Sequence, residues 1–113
     1  MSRATRGLLD TSILIDHGDI SADDLPDESY VPAVALAELA AGPHATRDSG
    51  ERARRQARLQ WVEASFVSLP FDAAAARGYG MIYAAARMAG RKSKRRLADY
   101  MIAAIAAVNR IPL

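Results

Sequence analysis

Three carboxylates stand in apolar surroundings, where acidic side chains are unusual. Asp10 ends the short run LLD, and Glu38 is the one charged or polar residue in the stretch VPAVALAELAAG. Asp99 lies in LADYMIAAIAAVN, and on a helical wheel it falls beside Ala103 and Ala106 rather than among charged residues. A helix that is apolar almost all round is a buried helix, so we expect Asp99 to begin a mostly buried helix. Together the three acids predict one shared site.

The chemistry of such a site follows from the charge of its members. Grouped carboxylates repel one another and are stable together only with protons or cations to offset them. Hard divalent cations such as Mg²⁺ prefer oxygen ligands and retain several waters. An ion of this kind activates water and stabilises charge on a phosphate during in-line attack. With arginine-rich segments nearby in the sequence, the acids predict metal-dependent hydrolysis of phosphodiester bonds.

Each acid also has a simpler interpretation, which the sequence leaves open. Asp10 is a favoured N-cap residue and would suit a turn from strand to helix. Glu38 would need no partner at the exposed edge of its helix, whereas a buried position would require one. Asp99 in a first helical turn complements the helix dipole.

Basic residues are concentrated in two segments. Residues 47–58 hold five arginines against two acids, and residues 87–96 hold six basic residues and no acid. Guanidinium groups match the geometry of phosphate oxygens, so nucleic acid is a candidate partner. We expect the loop before Asp99 to guide a nucleic-acid backbone towards the acids, with a solvated loop as the alternative. The residues of this expected nucleic-acid-binding set are Arg91, Lys92, Lys94, Arg95 and Arg96.

The elements that must position these residues alternate along the chain. Short apolar or β-rich segments at 7–10, 29–33 and 66–71 predict strands. Helical patterns cover 33–41, 51–64, 73–89 and 97–109, with Gly42 and Pro43 as a stop for the first and Asp72 and Gly90 as end signals for the third. A further helix is expected to begin over 11–17, and the acidic stretch 18–29 predicts a helical turn or loop. This alternation predicts an α/β domain with a mainly parallel sheet. Because ligands bind beyond the carboxyl ends of such strands, the first strand would deliver Asp10 to the functional edge.

Length and composition limit the remaining possibilities. The 113 residues suffice for one domain, which we assign to 1–113. No cysteine is present, which excludes disulfides and thiolate metal sites and fits a cytoplasmic protein. No apolar run approaches the roughly 20 residues needed to cross a bilayer, so we expect no membrane association.

The three acidic motifs resemble those of PIN domains, specifically the VapC-type toxin ribonucleases of toxin–antitoxin systems. The matching segments are LLDTSILID, VALAELAAG and RRLADYMIAAIA, and gaps of 28 and 61 residues separate their acids. The resemblance implies a three-layer α/β/α fold and a Mg²⁺- or Mn²⁺-dependent endoribonuclease, with Asp10, Glu38 and Asp99 as catalytic metal ligands. It further implies that Thr11 or Ser12 hydrogen-bonds around the site. A homodimer and a VapB-type antitoxin, whose C-terminal segment occupies the active-site groove, are the implied partners.

The sequence departs from the family pattern after its last helix, and alternative functions therefore stay open. The family places a further acidic or polar residue after the strand that follows the last helix, and this sequence stops at Leu113. We therefore expect the natural chain to continue and to include a carboxylate there; a reading frame ending at codon 113 would contradict this. A degenerate, non-catalytic RNA-binding or scaffold module is the alternative function. An Asp10 nucleophile of the haloacid-dehalogenase type is disfavoured, because that pattern wants a second aspartate where Ser12 stands.

The remaining polar and aromatic residues carry weaker signals. The sequence has no G-x-S-x-G motif whose serine could form a catalytic triad with His17 or His44, so we expect ordinary polar roles for both histidines. The GYG segment around Tyr79 lacks a dinucleotide context and predicts close helix packing. Core or interface positions are expected for Trp61, Tyr79, Tyr83 and Met88. Stacking of Tyr83 or Tyr100 on a base is the less favoured interpretation.

Overall fold

Three parallel strands form the centre of the molecule. The structure, a computed structural model, describes residues 6–10, 14, 27–90 and 97–112. Its strands are β1 (Arg6–Leu8), β2 (Glu28–Pro32) and β3 (Val67–Leu69), hydrogen-bonded in the order β1-β2-β3. Leu8 lies opposite Tyr30 in the first pair, and Tyr30 lies opposite Val67 in the second. The prediction of a parallel sheet is confirmed.

Four helices surround this sheet in the described part of the chain. They are α1 (Ala33–Ala41), α2 (Ser49–Ser65), α3 (Ala73–Met88) and α4 (Leu97–Asn109). Two of them begin at aspartates whose carboxylates accept a backbone N–H three residues on. Asp48 accepts from Glu51 at 2.7 Å and Asp72 from Ala75 at 3.0 Å, as N-caps do. Gly90, at φ +70°, follows α3, which confirms the end predicted from its glycine.

The sheet separates two apolar cores. Neighbouring strand residues point to opposite faces, so Leu8 enters one core and Leu9 the other. We call the first the front core; its buried members are Leu8, Ala75, Ile102, Ile105, Ala106 and Ile111. The back core contains Leu9, Leu14, Val31, Ala35, Leu39 and Val62. A sheet with a packed core on both faces gives the predicted three-layer α/β/α architecture.

The chain after α4 runs beside the first strand. Leu8 donates its backbone N–H to the Pro112 carbonyl at 2.9 Å, whereas the next N–H, that of Leu9, donates to Tyr30 at 2.8 Å. Successive N–H groups of a strand point to opposite sides, so Pro112 lies on the side of β1 away from β2.

The α1 helix ends at Ala41, which confirms the end predicted before Gly42 and Pro43. A 3₁₀ turn, Gly42–Ala45, follows it, with Gly42 in a right-handed helical conformation.

A core position was wrong for three of the residues for which the sequence left a core or an interface position open: Met88 is exposed by 90%, Tyr83 by 43% and Trp61 by 37%. An interface position stays a prediction for them. The spacing of apolar residues on a helix does not show which apolar face packs against another element. These three side chains lie outside the two cores.

Some predicted elements lie outside the described residues. These are most of the helix expected from Thr11 to His17, most of the acidic segment before β2, and the basic loop 91–96. Within the described residues, no helix combines the length and apolarity needed to cross a bilayer.

Candidate functional site

Asp10 stands where the first strand gives way to a helical turn. It follows β1 by two residues and is half-buried. Its backbone carbonyl accepts the Leu14 N–H at 3.2 Å, which is the hydrogen bond of a first helical turn. The position therefore suits both interpretations from the sequence, because a residue at this junction can cap the turn and also present its carboxylate at the end of the strand.

All three acids continue rows of side chains that belong to the front core. Asp10 is two residues beyond Leu8, the strand spacing that returns to the same face. Glu38 is one helical turn beyond Val34, which packs against the same core. Asp99 precedes Ile102 by three residues and Ala106 by seven, so it extends their stripe on α4. Each of the three acids thus continues a row whose other side chains pack against the same core.

The acids do not form a ready-made metal cage. Among the residues that the structure describes, no group of three histidine, cysteine, aspartate or glutamate side chains is placed to hold an ion. The donor type fits Mg²⁺ or Mn²⁺, since each side chain offers hard carboxylate oxygens and such ions retain waters in place of further protein ligands. Thr11 and Ser12, the expected hydrogen-bonding residues, lie outside the described residues.

Asp99 lies in the first turn of a helix that is buried further along, as expected, but the side chain itself is not covered. Its helix is buried at Ile102, Ala104, Ile105 and Ala106, but Asp99 itself is exposed. It belongs to the first turn, which projects beyond the core. Glu38 is half-buried, which is intermediate between the exposed and the buried position that the sequence left open.

Asp99 lines an open groove between α3 and α4. The groove has a volume of about 390 Å³. From α3 it is lined by Ile82, Ala85 and Ala86, from the C-cap of that helix by Ala89, and from α4 by Asp99, Tyr100 and Ala103. This groove was not predicted from the sequence. The excess of alanines on the facing helices was the available signal, because methyl side chains leave space between helices that still touch elsewhere.

The two helices touch where Gly78 faces the later part of α4. A Cβ atom added to Gly78 would lie 3.3 Å from Val108 Cγ1 and 3.8 Å from the Ala104 Cβ. Gly80 has no such neighbour within 4 Å. The packing predicted for the GYG segment is therefore correct for Gly78 alone.

Aromatic rings continue from the wall of the groove along α3. The Tyr100 ring lies 6.5 Å from that of Tyr79, which lies 6.2 Å from that of Tyr83. The Arg87 guanidinium carbon is 6.0 Å from the centre of the Tyr83 ring, within the range of a cation–π contact. Of these residues only Tyr100 lines the groove, and the others form a series of contacts that leads away from it along α3.

The arginines of α2 serve the fold more than the sequence suggested. Arg52 donates to the carbonyls of Pro43 and Thr46, at 3.1 and 3.0 Å. Arg54 and Arg55 both pair with Glu51, each at 2.9 Å. Hydrogen bonds from Arg55 and then Arg54 lower the pKa of the Glu51 carboxyl below its ordinary value. These three guanidinium groups are engaged within the molecule, so they are poorer candidates for phosphate binding than the composition indicated.

Comparison with known proteins decides the family. The model of the PIN domain family matches residues 7–113. This chain belongs to the PIN-domain family. It is 36% identical to "Ribonuclease VapC5" of Mycobacterium tuberculosis over 110 residues, covering 95% of this chain and 79% of that protein.

Solved structures agree with this assignment. The crystal structure of VapBC-5, a toxin–antitoxin system of M. tuberculosis, matches this PIN domain with a TM-score of 0.84 and 35% identity. The match covers 96% of this chain and 82% of the other. VapBC2 from Rickettsia felis, bound to a promoter DNA fragment, has a TM-score of 0.79 at 19% identity over 94% and 83% of the chains, which shows the shared fold alone.

Proposed function

We propose that this PIN domain is the endoribonuclease toxin of a toxin–antitoxin pair and that it hydrolyses RNA phosphodiester bonds with Mg²⁺ or Mn²⁺. The observation that carries the proposal is the continuous match to the family over residues 7–113, together with 36% identity to a VapC ribonuclease. The position of the three acids in rows that pack against one core supports a shared site. The cytoplasm, where RNA is available, is the proposed location.

Asp10, Glu38 and Asp99 are the proposed ligands of the ion. When bound, the ion would supply a more acidic water and stabilise the charge that develops on the phosphate. Asp10 and Glu38 are half-buried on rigid elements, at the end of β1 and within α1, so the fold fixes their positions. Asp99 is exposed at the rim of the α3–α4 groove, where an extended substrate has access to it. Thr11 or Ser12 would orient the carboxylates by hydrogen bonds.

The proposed partners are an RNA substrate, a VapB-type antitoxin and a second copy of the chain. The matching structure from M. tuberculosis is that of a toxin–antitoxin system by its description, which supports an antitoxin here. Arg91, Lys92, Lys94, Arg95 and Arg96 are proposed to bind the RNA backbone. The exposed apolar side chains of α3 and α4, such as Met81, Met88 and Leu97, offer area for a homodimer or for the antitoxin.

The first experiment is cleavage of total RNA by the purified, antitoxin-free chain. Reactions contain Mg²⁺, Mn²⁺ or EDTA, beside the Asp99→Asn variant, which keeps the size of the side chain and removes its charge. Discrete fragments that need the metal and disappear in the variant are the expected result. Equal cleavage by the variant would indicate a contaminating nuclease or a wrongly placed site.

The second candidate is a non-catalytic RNA-binding or scaffold module. The observation in its favour is that the described acids form no three-ligand group for a metal. A folded chain that binds RNA without cutting it, and whose binding Asp10→Asn leaves unchanged, would favour this function over the nuclease.

A further inference from the structure

We propose that the groove between α3 and α4 binds one unpaired nucleobase of the RNA, next to the bond that is cut. This inference rests on the proposed ribonuclease function and names a subsite within it. The groove begins at Asp99, a proposed metal ligand, so an occupant would lie beside the reacting phosphate. Its residues would then decide which base the enzyme accepts at that position.

The groove has the size and lining of a small-ligand site. Its volume of about 390 Å³ lies at the lower end of the range for pockets that hold small molecules. Four of its lining residues are alanines, which leave flat, apolar walls on both helices. A planar base can slide between such walls, whereas a larger side chain at any of these positions would fill the space.

Two side chains give the groove a chemistry that suits a base. Tyr100 provides an aromatic wall, and its contact with Tyr79 limits the movement of its ring. Aromatic side chains stack on unpaired bases and contribute to the binding of single-stranded RNA. The Asp99 carboxylate accepts hydrogen bonds, which the exocyclic amino groups of adenine, cytosine and guanine can donate.

The distribution of charge favours a nucleotide over an acidic peptide. Ala89 and Asp99 both line the groove, and the sequence between them contains six residues, 91–96, of which five are basic. Arg87 adds a sixth positive charge on the last turns of α3. These positive charges attract the phosphate of every nucleotide in a nucleic-acid strand. This attraction would hold one of its bases at the groove.

The test fills the groove from each wall in turn. Ala85 lines the groove and is exposed, so Ala85→Leu adds volume there without displacing the core. Ala103→Leu adds volume from α4, where Ala103 lines the groove and is half-buried. Ala84→Leu is the matched control, since Ala84 is an exposed alanine of α3 outside the groove lining. Circular dichroism and thermal unfolding establish that each variant is folded.

Two readouts are measured for each variant. The first is the base composition flanking the cut in a pool of RNA with randomised positions. We expect the base preference at one flanking position to change by about tenfold in Ala85→Leu and Ala103→Leu, which is the scale of one lost stacking contact. The control, Ala84→Leu, should leave this preference unchanged. The second is binding of short single-stranded RNA in EDTA, where no cutting occurs; both groove variants should bind about tenfold more weakly than the control.

The outcomes separate the inference from the function on which it rests. Metal-dependent cutting with unchanged base preference in both groove variants would overturn the base subsite and leave the nuclease standing. Weaker antitoxin binding without any change in base preference would assign the groove to a protein segment and also overturn it. If the folded wild type does not cut RNA, the nuclease fails, and the EDTA binding series then decides the inference: equal binding by the groove variants and the control contradicts it.

Discussion

Arg55 joins α2 to the end of the helix that carries Glu38. Its Nη1 donates to the Gly42 carbonyl at 2.9 Å, and its Nε donates to Glu51 Oε2 at the same distance. Carbonyls at the end of a helix lack partners within the helix, so this guanidinium supplies one from the neighbouring element. The contact fixes the turn that begins four residues after Glu38 and so restrains the position of α1 in the site.

Removing this contact should lower stability. Arg55→Ala deletes the hydrogen bond to Gly42 and is expected to cost about 1–2 kcal/mol in the free energy of unfolding, measured by urea titration. Arg54→Ala is the control, because Arg54 pairs with the same glutamate but is 66% exposed against 31% for Arg55, and should cost about 0.5 kcal/mol or less. Equal losses in the two variants would show that the Gly42 contact does not matter.

The same cluster predicts a dependence on acid pH. Folding lowers the pKa of Glu51, so its contribution to stability is present above its ordinary pKa and is lost as the pH falls through the lower, folded-state value. We expect the wild type to lose stability relative to Glu51→Gln over that acidic range and to differ from it by a constant amount near neutral pH. Unfolding curves between pH 2 and 7, a range set about the ordinary pKa of a glutamate, give the comparison. A difference independent of pH throughout would contradict the assignment.

The sequence predicted the elements better than it predicted which residues are exposed. The bounds of α1 and α4 follow from patterns that act within a few residues, such as the apolar stretch before Gly42 and the end of α4 near Asn109. Burial of Asp99 and Met88 depends on whether another element covers that part of a helix, and a wheel contains no information about this. The α3–α4 groove was missed for the same reason, because it exists only where two alanine-rich faces diverge beyond their contact at Gly78.

That contact at Gly78 should be sensitive to size. Gly78→Leu places a branched side chain against Val108 and the α4 backbone, and overpacking of this kind costs about 1–3 kcal/mol. Gly80→Leu is the matched change two residues away, where no atom lies within 4 Å, and it should stabilise the helix by about 0.5–1 kcal/mol through its propensity alone. Thermal unfolding measures both. Stabilisation by Gly78→Leu would mean that α3 and α4 do not pack as closely as the structure has them.

Binding of the proposed ion can be measured without any cleavage. A ligand that binds only the folded chain stabilises it, by about 2.7 kcal/mol at a hundred times its dissociation constant. We expect Mg²⁺ or Mn²⁺ to raise the unfolding temperature of the wild type but not of Asp10→Asn or Glu38→Gln. Asp48→Asn is the control, since asparagine also caps α2 and Asp48 lies outside the proposed site, and it should retain the full response. A metal response that survives in Asp10→Asn and Glu38→Gln would place the ion elsewhere.

The basic segment before Asp99 should determine how RNA binding depends on salt. Each phosphate contact with a single strand contributes about 0.7 to the slope of log K against log salt concentration, because a bound cation is released. Replacing Lys94 and Arg95 together by alanine should therefore reduce the slope by about 1.4. The control is the pair Arg47→Ala and Arg77→Ala, which removes the same net charge from α3 and from the turn before α2, both away from the groove lining. RNA affinities measured in EDTA at several salt concentrations supply both slopes. An equal reduction of the slope in the two double variants would mean that net charge, rather than the basic segment before Asp99 in particular, attracts the RNA. No reduction of the slope in either double variant would mean that the segment does not contact the RNA.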